Sequence, residues 1–369
     1  LKIHQIDAGI ISQQALNNPG TFDVIVLTNI LNTLPDVQDL LQRLEAFCHE
    51  RTRLVISFHN WLWQPALKAA EKAGLRQQQP PESWLTPNDV RNLLDLSGWE
   101  VLKSGHRCLL PRHIPLVTPL LNRWGSQLPL LEQLGLTHWM VARPIRQQPQ
   151  QPSVSVVIPA RNEAGNIAAA IDRLPPLGSS TEVIFVEGHS SDHTWDEIQR
   201  VCSTYTGPMQ LRCFQQTGKG KADAVWLGFE EAKCDILIIL DADLTVRPED
   251  LPRFIEALAI GRGEFVNGCR LVYPRSDAAM PPLNTAANRT FAALFSWLLR
   301  QRLKDTLCGT KAIWKTDYEN LKRGRAYFGD FDPFGDFDLL FGASKLILKI
   351  VEVPVRYQER TYGSSNIAH

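Results

Sequence analysis

The chain has 369 residues, 44% of them hydrophobic, so it holds enough apolar material for packed cores and is too long for one ordinary domain. Its formal net charge is zero, which leaves no basic surplus for nucleic acid as a bulk partner. Its seven cysteines stand singly with no CxxC pair, a usage that suits a reducing compartment and offers no zinc site.

The chain begins at Leu1, directly in a strand-like segment, and reads as part of a longer protein. It shows no signal peptide, and no apolar run reaches the roughly 20 residues that cross a bilayer. "FDVIVLTNILNTLPDVQDLLQRL" reads as a strand over 22–27, a loop, and a helix opening near Pro35 and Asp36. A second strand lies in "RLVISFHN", 53–60. "LTPNDVRNLLDLSGWEVL" carries a helix start in Thr86, Pro87 and Asp89: cap, first-turn proline and acidic third residue. Leu93, Leu94 and Leu96 with Gly98 close that helix, and "WEVLKSG" returns as a strand. Alternation of this kind predicts an α/β sheet.

This order resembles the second half of the class I S-adenosylmethionine-dependent methyltransferases. The segment "IHQIDAG" would place Asp7 near the adenine. A cofactor site of this type needs the first strand and its glycine turn. Residues 1–142 are therefore expected to be a partial, Rossmann-like methyltransferase domain that packs without binding S-adenosylmethionine. A linker follows over 143–152: "RPIRQQPQQPS", at 143–153, has three prolines, four glutamines and no apolar periodicity.

From Ser153 the pattern changes. "SVSVVIPARNEAGNIAAAIDRL" gives a buried strand over 154–158 that Pro159 ends. A loop with Asn162 and Glu163 follows, then a helix with Ile167, Ile171 and Leu174 on one face. "TEVIFVEGHSSDHTWDEI" repeats strand, polar turn and helix, with a cap near Ser191 and Asp192. "TGKGKADAVWLGFEEA" runs a Gly/Lys turn into a third helix, and "ILIILDADLTVRPED" ends a buried strand, 236–240, in Asp241 and Asp243. Repeated strand–helix units form a right-handed parallel series, whose ligands sit at the carboxyl ends of the strands. On an extended segment, side chains two apart share a face, so Asp241 and Asp243 can meet one divalent ion. A hard cation accepts one or two carboxylates together with substrate phosphates.

Residues 153–369 resemble glycosyltransferase family 2 enzymes of the GT-A fold, on the polyprenyl-phosphate (dolichyl-phosphate mannose synthase-like) branch. The likeness runs in order through "VVIPARNEAGNI", "DADLTVRPEDLPRFIEAL", "NGCR", "KDTLCGTKAIWK" and "VEVPVRYQERTYGSSNI". It implies inverting transfer of a sugar from a nucleotide-diphosphate sugar, with Mg²⁺ or Mn²⁺ at Asp241 and Asp243. Donor contacts are expected from Pro159, Asn162, Glu163, Glu187, Lys219 and Asp241. Arg270 and Arg360 would face the phosphates. Two departures stand out: "EGHS" puts Glu187 and Gly188 where the family has two aspartates, and Asn366 replaces a final lysine.

The acceptor is read as a polyprenyl phosphate, already an anion near neutral pH. A hydroxyl of a glycan or glycolipid is the alternative, and it would need a base; "FGDFDPFGDFDLLF" offers Asp336 and Asp338. A methyltransferase and a non-catalytic nucleotide-binding module are the rival classes. The segment "FAALFSWLLRQRL" combines Phe291, Leu294, Phe295, Trp297 and Leu298 with Arg300 and Arg302, the make-up of an interfacial helix. A cytoplasmic enzyme, peripheral at the inner face of a membrane, is expected.

Overall fold

The computed structural model describes residues 20–77, 83–111, 114–123, 125, 128, 131, 133–145, 151–274, 282–324, 336–360 and 362. The chain forms two compact units, Leu1–Arg146 and Gln147–His369.

In the first unit β1 (Phe22–Thr28), β2 (Cys48–His59), β3 (Trp99–Arg107) and β4 (Thr137–Pro144) form one sheet in the order β1-β2-β4-β3. β1 runs parallel to β2, and β4 runs antiparallel to both β2 and β3. The helix Val37–Arg43 starts where Asp36 accepts the amide of Asp39, and the helix Pro87–Leu96 carries the full Thr86/Asp89 capping box. Leu41, Leu54, Ile56, Leu94 and Trp99 share the core. The composition-based linker starts too early, because Arg143 and Pro144 still belong to β4. Arg143 is buried and pairs with Glu100, its register partner on β3, at 3.0 Å, so a charged residue continues the strand. Asp7 lies outside the described residues.

In the second unit β5 (Val154–Ala160), β6 (Thr181–Glu187), β7 (Gln210–Gln215), β8 (Ile236–Ile239), β9 (Phe265–Cys269), β10 (Lys311–Trp314) and β11 (Ile350–Pro354) form a mixed sheet. Its order is β11-β9-β10-β8-β5-β6-β7. The block β8-β5-β6-β7 is parallel, and β10 reverses the direction between β8 and β9. Val154, Val156 and Ile158 enter one core and Val157 the other, so both faces are covered and the strands read as unbroken apolar runs. Pro159 does not end β5, which pairs with β6 through Ala160. β8 pairs only as far as Val157↔Ile239, so the amide that Pro159 lacks takes no ladder bond from that side.

Candidate functional site

The strand β8 stops at Ile239, and the chain then turns instead of continuing extended. The amide of Leu244 donates to the carbonyl of Asp241 at 3.1 Å, and Leu244 has φ near 52°. Asp241 and Asp243 therefore share their site through a tight turn, not through strand periodicity. Both line one cavity of about 440 Å³ at the carboxyl ends of β5, β6 and β8, with Pro159, Glu163, Gly188, Gln216, Lys221, Arg270 and Arg360 among its walls.

Each aspartate faces a cation. Lys221 Nζ lies 2.5 Å from Asp241, and although burial works to raise the Asp241 carboxyl, Lys221, then Lys311 and Arg270, hold it below the usual range. Asp243 accepts the amide and hydroxyl of Thr245 on one oxygen and Arg360 on the other, at 2.8 Å. Arg360 also donates to Glu163 at 2.8 Å and so bridges two carboxylates. Burial pushes the Glu163 carboxyl up to about 7 against the pull of Arg360. Nearby, Tyr362 lies over Gly165, where a Cβ would strike its ring. The segment carrying Arg360 is thus seated on the loop after β5.

Arg270 follows β9 and is held by Asp305, which takes its backbone amide, Nε and a terminal nitrogen at 2.8–2.9 Å. Asp305 is fully buried; burial works against its ionised form, but Arg270 and Asn288 hold the carboxyl down to about 2. The guanidinium also lies 5.3 Å from the centre of the Tyr357 ring. Gly309 closes the floor, since a Cβ there would fall inside 3.0 Å of both Lys221 and Asp241.

Of the expected site residues, Pro159, Glu163, Asp241, Asp243, Arg270 and Arg360 meet at this cavity. Lys219 does not: it is exposed, and Lys221 supplies the cation. Glu187 is buried between two lining residues and turned into its own loop, where it accepts the Ser190 amide at 2.5 Å and Gln215 at 3.2 Å. Burial opposes its charge, but these bonds leave the carboxyl below its usual range. Asn162 takes a left-handed backbone with φ near 57° and ties its loop to Ser191 at 2.8 Å, a conformation asparagine tolerates better than most residues. Asp338 is buried on the helix Asp336–Lys345 and does not line the cavity. The side chain of Asp336 and the whole of Asn366 lie outside the described residues.

Residues 155–317 match the family model described as Glycosyl transferase family 2. The matched residues lie within the second unit. The chain is 36% identical over 223 residues to the dolichol-phosphate mannosyltransferase of Pyrococcus furiosus, covering 58% of this chain and 59% of that protein. It is 26% identical over 216 residues to the undecaprenyl-phosphate 4-deoxy-4-formamido-L-arabinose transferase of Edwardsiella ictaluri, covering 58% and 62%. It thus spans about three-fifths of each of these relatives. Among solved structures, glucosyl-3-phosphoglycerate synthase from Mycobacterium tuberculosis, in complex with Mn²⁺, uridine diphosphate and glucosyl-3-phosphoglycerate, aligns with a TM-score of 0.43 at 21% identity, over 58% of this chain and 73% of that one. The first unit lies outside the matched family region, so its methyltransferase resemblance gains no support from it.

Four residues of this site were not singled out in the sequence: Lys221, Asp305, Gly309 and Gln216. Lys221 had a signal. A lysine in the first turn of a helix is disfavoured by the helix dipole and so calls for another use. Lys221 is that residue, because the helix Lys221–Glu231 begins there and Lys219 lies two residues before it.

Proposed function

We propose that the second unit is an inverting, metal-dependent glycosyltransferase of the GT-A fold that moves a sugar from a nucleotide-diphosphate sugar to a polyprenyl phosphate. The observation that carries this reading is the meeting of Asp241, Asp243, Lys221, Arg270 and Arg360 at the strand ends around one cavity. The difficult step is departure of the diphosphate as negative charge builds on it, and fixed cations in a partly dry cleft stabilise such charge.

Among the described residues no group of three or more His, Cys, Asp or Glu could by itself hold a metal. The pair Asp241 and Asp243 nevertheless fits a hard cation that takes the rest of its ligands from substrate phosphates. Lys221 and Arg360 mark both carboxylates as positions that balance positive charge. Bound there, Mg²⁺ or Mn²⁺ would act as a Lewis acid on the diphosphate. Arg270, locked by Asp305, offers a positioned guanidinium to the phosphates. Arg360 exchanges a carboxylate partner for a phosphate when the donor enters. A phosphate acceptor needs no base, which agrees with the burial of Asp338 away from the cavity.

The domain would work at the cytoplasmic face of a membrane. The helix Pro282–Leu299 exposes Phe291, Leu294, Trp297 and Leu298, and among the described residues no helix is long and apolar enough to cross a bilayer. For the first unit, the parallel pair β1–β2 supports a partial Rossmann-like, methyltransferase-like sheet in which S-adenosylmethionine is not expected. Calorimetry with that cofactor tests this point.

Thermal stabilisation by UDP-, GDP- and dTDP-sugars, with and without Mg²⁺ or Mn²⁺, tests the main reading. At least one donor should raise Tm only with metal, and Asp243→Asn should remove the effect. Stabilisation that survives both chelation and Asp243→Asn would contradict it.

A further inference from the structure

The strand β7 ends beside the cavity, and the next residue, Gln216, lines it. Its backbone amide is used: it donates to the Glu187 carbonyl at 3.0 Å. Its side chain is not. Gln216 is 4% exposed, and its Oε1 has no hydrogen-bond partner among the described residues. Nor does its Nε2 make a hydrogen bond to any described residue. Nε2 stands close to Gly188, where a Cβ would come within 3.5 Å of it. Folded proteins rarely leave a buried amide oxygen unbonded, because its lost hydration is not returned.

The position gives this amide a use. In the order β8-β5-β6-β7, Gln216 lies three strand spacings from Asp241, about 14 Å at the usual spacing. That is the reach of an extended nucleoside diphosphate whose phosphates lie against Asp241, Arg270 and Arg360. The wall between, Pro159, Ala160, Val186 and Gly188, offers apolar surface and backbone to a flat ring.

We propose that Gln216 reads the nucleobase of the donor, its side-chain amide pairing with a lactam edge: Oε1 accepts the ring N–H and Nε2 donates to the adjacent carbonyl. This rests on the nucleotide-sugar reading of the site. Uracil, thymine and guanine carry such an edge. Adenine and cytosine, which lack a ring N–H beside a carbonyl in their usual forms, do not. The neighbouring carboxylate, Glu187, is already engaged by the Ser190 amide and by Gln215.

The test is calorimetric titration of the full chain, in Mg²⁺, with UDP, dTDP, GDP, ADP and CDP. A matched lactam nucleotide should bind about 10- to 100-fold tighter than ADP or CDP, the discrimination expected of a bidentate amide–base pair. The N-methylated form of the best-binding lactam, with its ring N–H removed, should lose the same factor. Gln216→Leu should flatten the series to within about threefold, without lowering Tm, since it removes an unbonded polar atom. Should that variant fail to fold, the N-methyl comparison on the unaltered protein decides alone. Nucleotides that bind with no lactam preference, or an N-methyl form that binds as well as its parent, overturn the role of Gln216 and leave the proposed function standing. Absence of binding by every nucleotide overturns both.

Discussion

Gly309→Ala places one methyl group against the centre of the site. The Gly309 backbone is not in the left-handed region, so alanine itself is unstrained there, but its Cβ falls inside 3.0 Å of the Asp241 carboxylate and of Lys221 Nζ. Lys221 can swing away; the short Asp241 side chain, at the end of a fully buried strand, must retreat or carry the loop with it. Overpacking of this size costs about 1–3 kcal/mol of stability. A shift of about 1 Å in a group that positions phosphate costs about 10²-fold in rate. Initial rates of nucleoside diphosphate release should therefore show kcat/KM lowered by about 10²-fold, while denaturant unfolding shows a loss of about 1–3 kcal/mol. Gly263→Ala is the control: its Cβ strikes Val351, and neither residue lines the cavity. It should lose comparable stability and keep its rate. Full kcat/KM in Gly309→Ala, or an equal loss in Gly263→Ala, would refute the reasoning.

Asp305→Asn leaves Arg270 without an ionised partner; breaking a buried pair costs about 3–5 kcal/mol, read by urea unfolding, and a loss below about 1 kcal/mol contradicts the pairing. Glu163 has its carboxyl raised from 4.5 to about 7, so its contribution to stability is fully present below pH 4.5 and lost as pH rises through about 7. The Tm of the unaltered protein should accordingly fall relative to Glu163→Gln between pH 5.5 and 8.5, and parallel curves would show that the group is not perturbed. Replacing Phe291, Leu294 and Leu298 together by serine should abolish flotation with anionic liposomes while leaving far-UV circular dichroism unchanged; undiminished flotation removes that helix from the membrane contact.

Much of this architecture was legible because it is periodic or capped. The Thr86/Asp89 box, the apolar run ending at Asp241 and the strand–helix series from Ser153 follow from local rules. The convergence of Pro159, Glu163, Asp241 and Asp243 followed from strand direction. Other features depend on long-range pairing that no local pattern reports. β10 reverses between β8 and β9, and this brings Gly309 under Asp241. Asp305, 35 residues beyond Arg270, meets it only through the folded sheet. Arg143 reads as linker by composition and is buried because Glu100 lies opposite. The choice between Lys219 and Lys221 turned on two residues of chain, because the helix begins only after Gly220, with φ near 90°.

The central claim is transfer to a lipid phosphate, and it is measured most directly with a radiolabelled nucleotide sugar and undecaprenyl or dolichyl phosphate, followed by extraction into organic solvent. The account predicts labelled lipid in the presence of Mg²⁺ or Mn²⁺, and none after chelation, in Asp243→Asn or in Arg360→Ala, with Asp338→Asn keeping much of the rate if it folds. Absence of labelled lipid from every donor the protein binds, with transfer instead to a glycan hydroxyl, would contradict it.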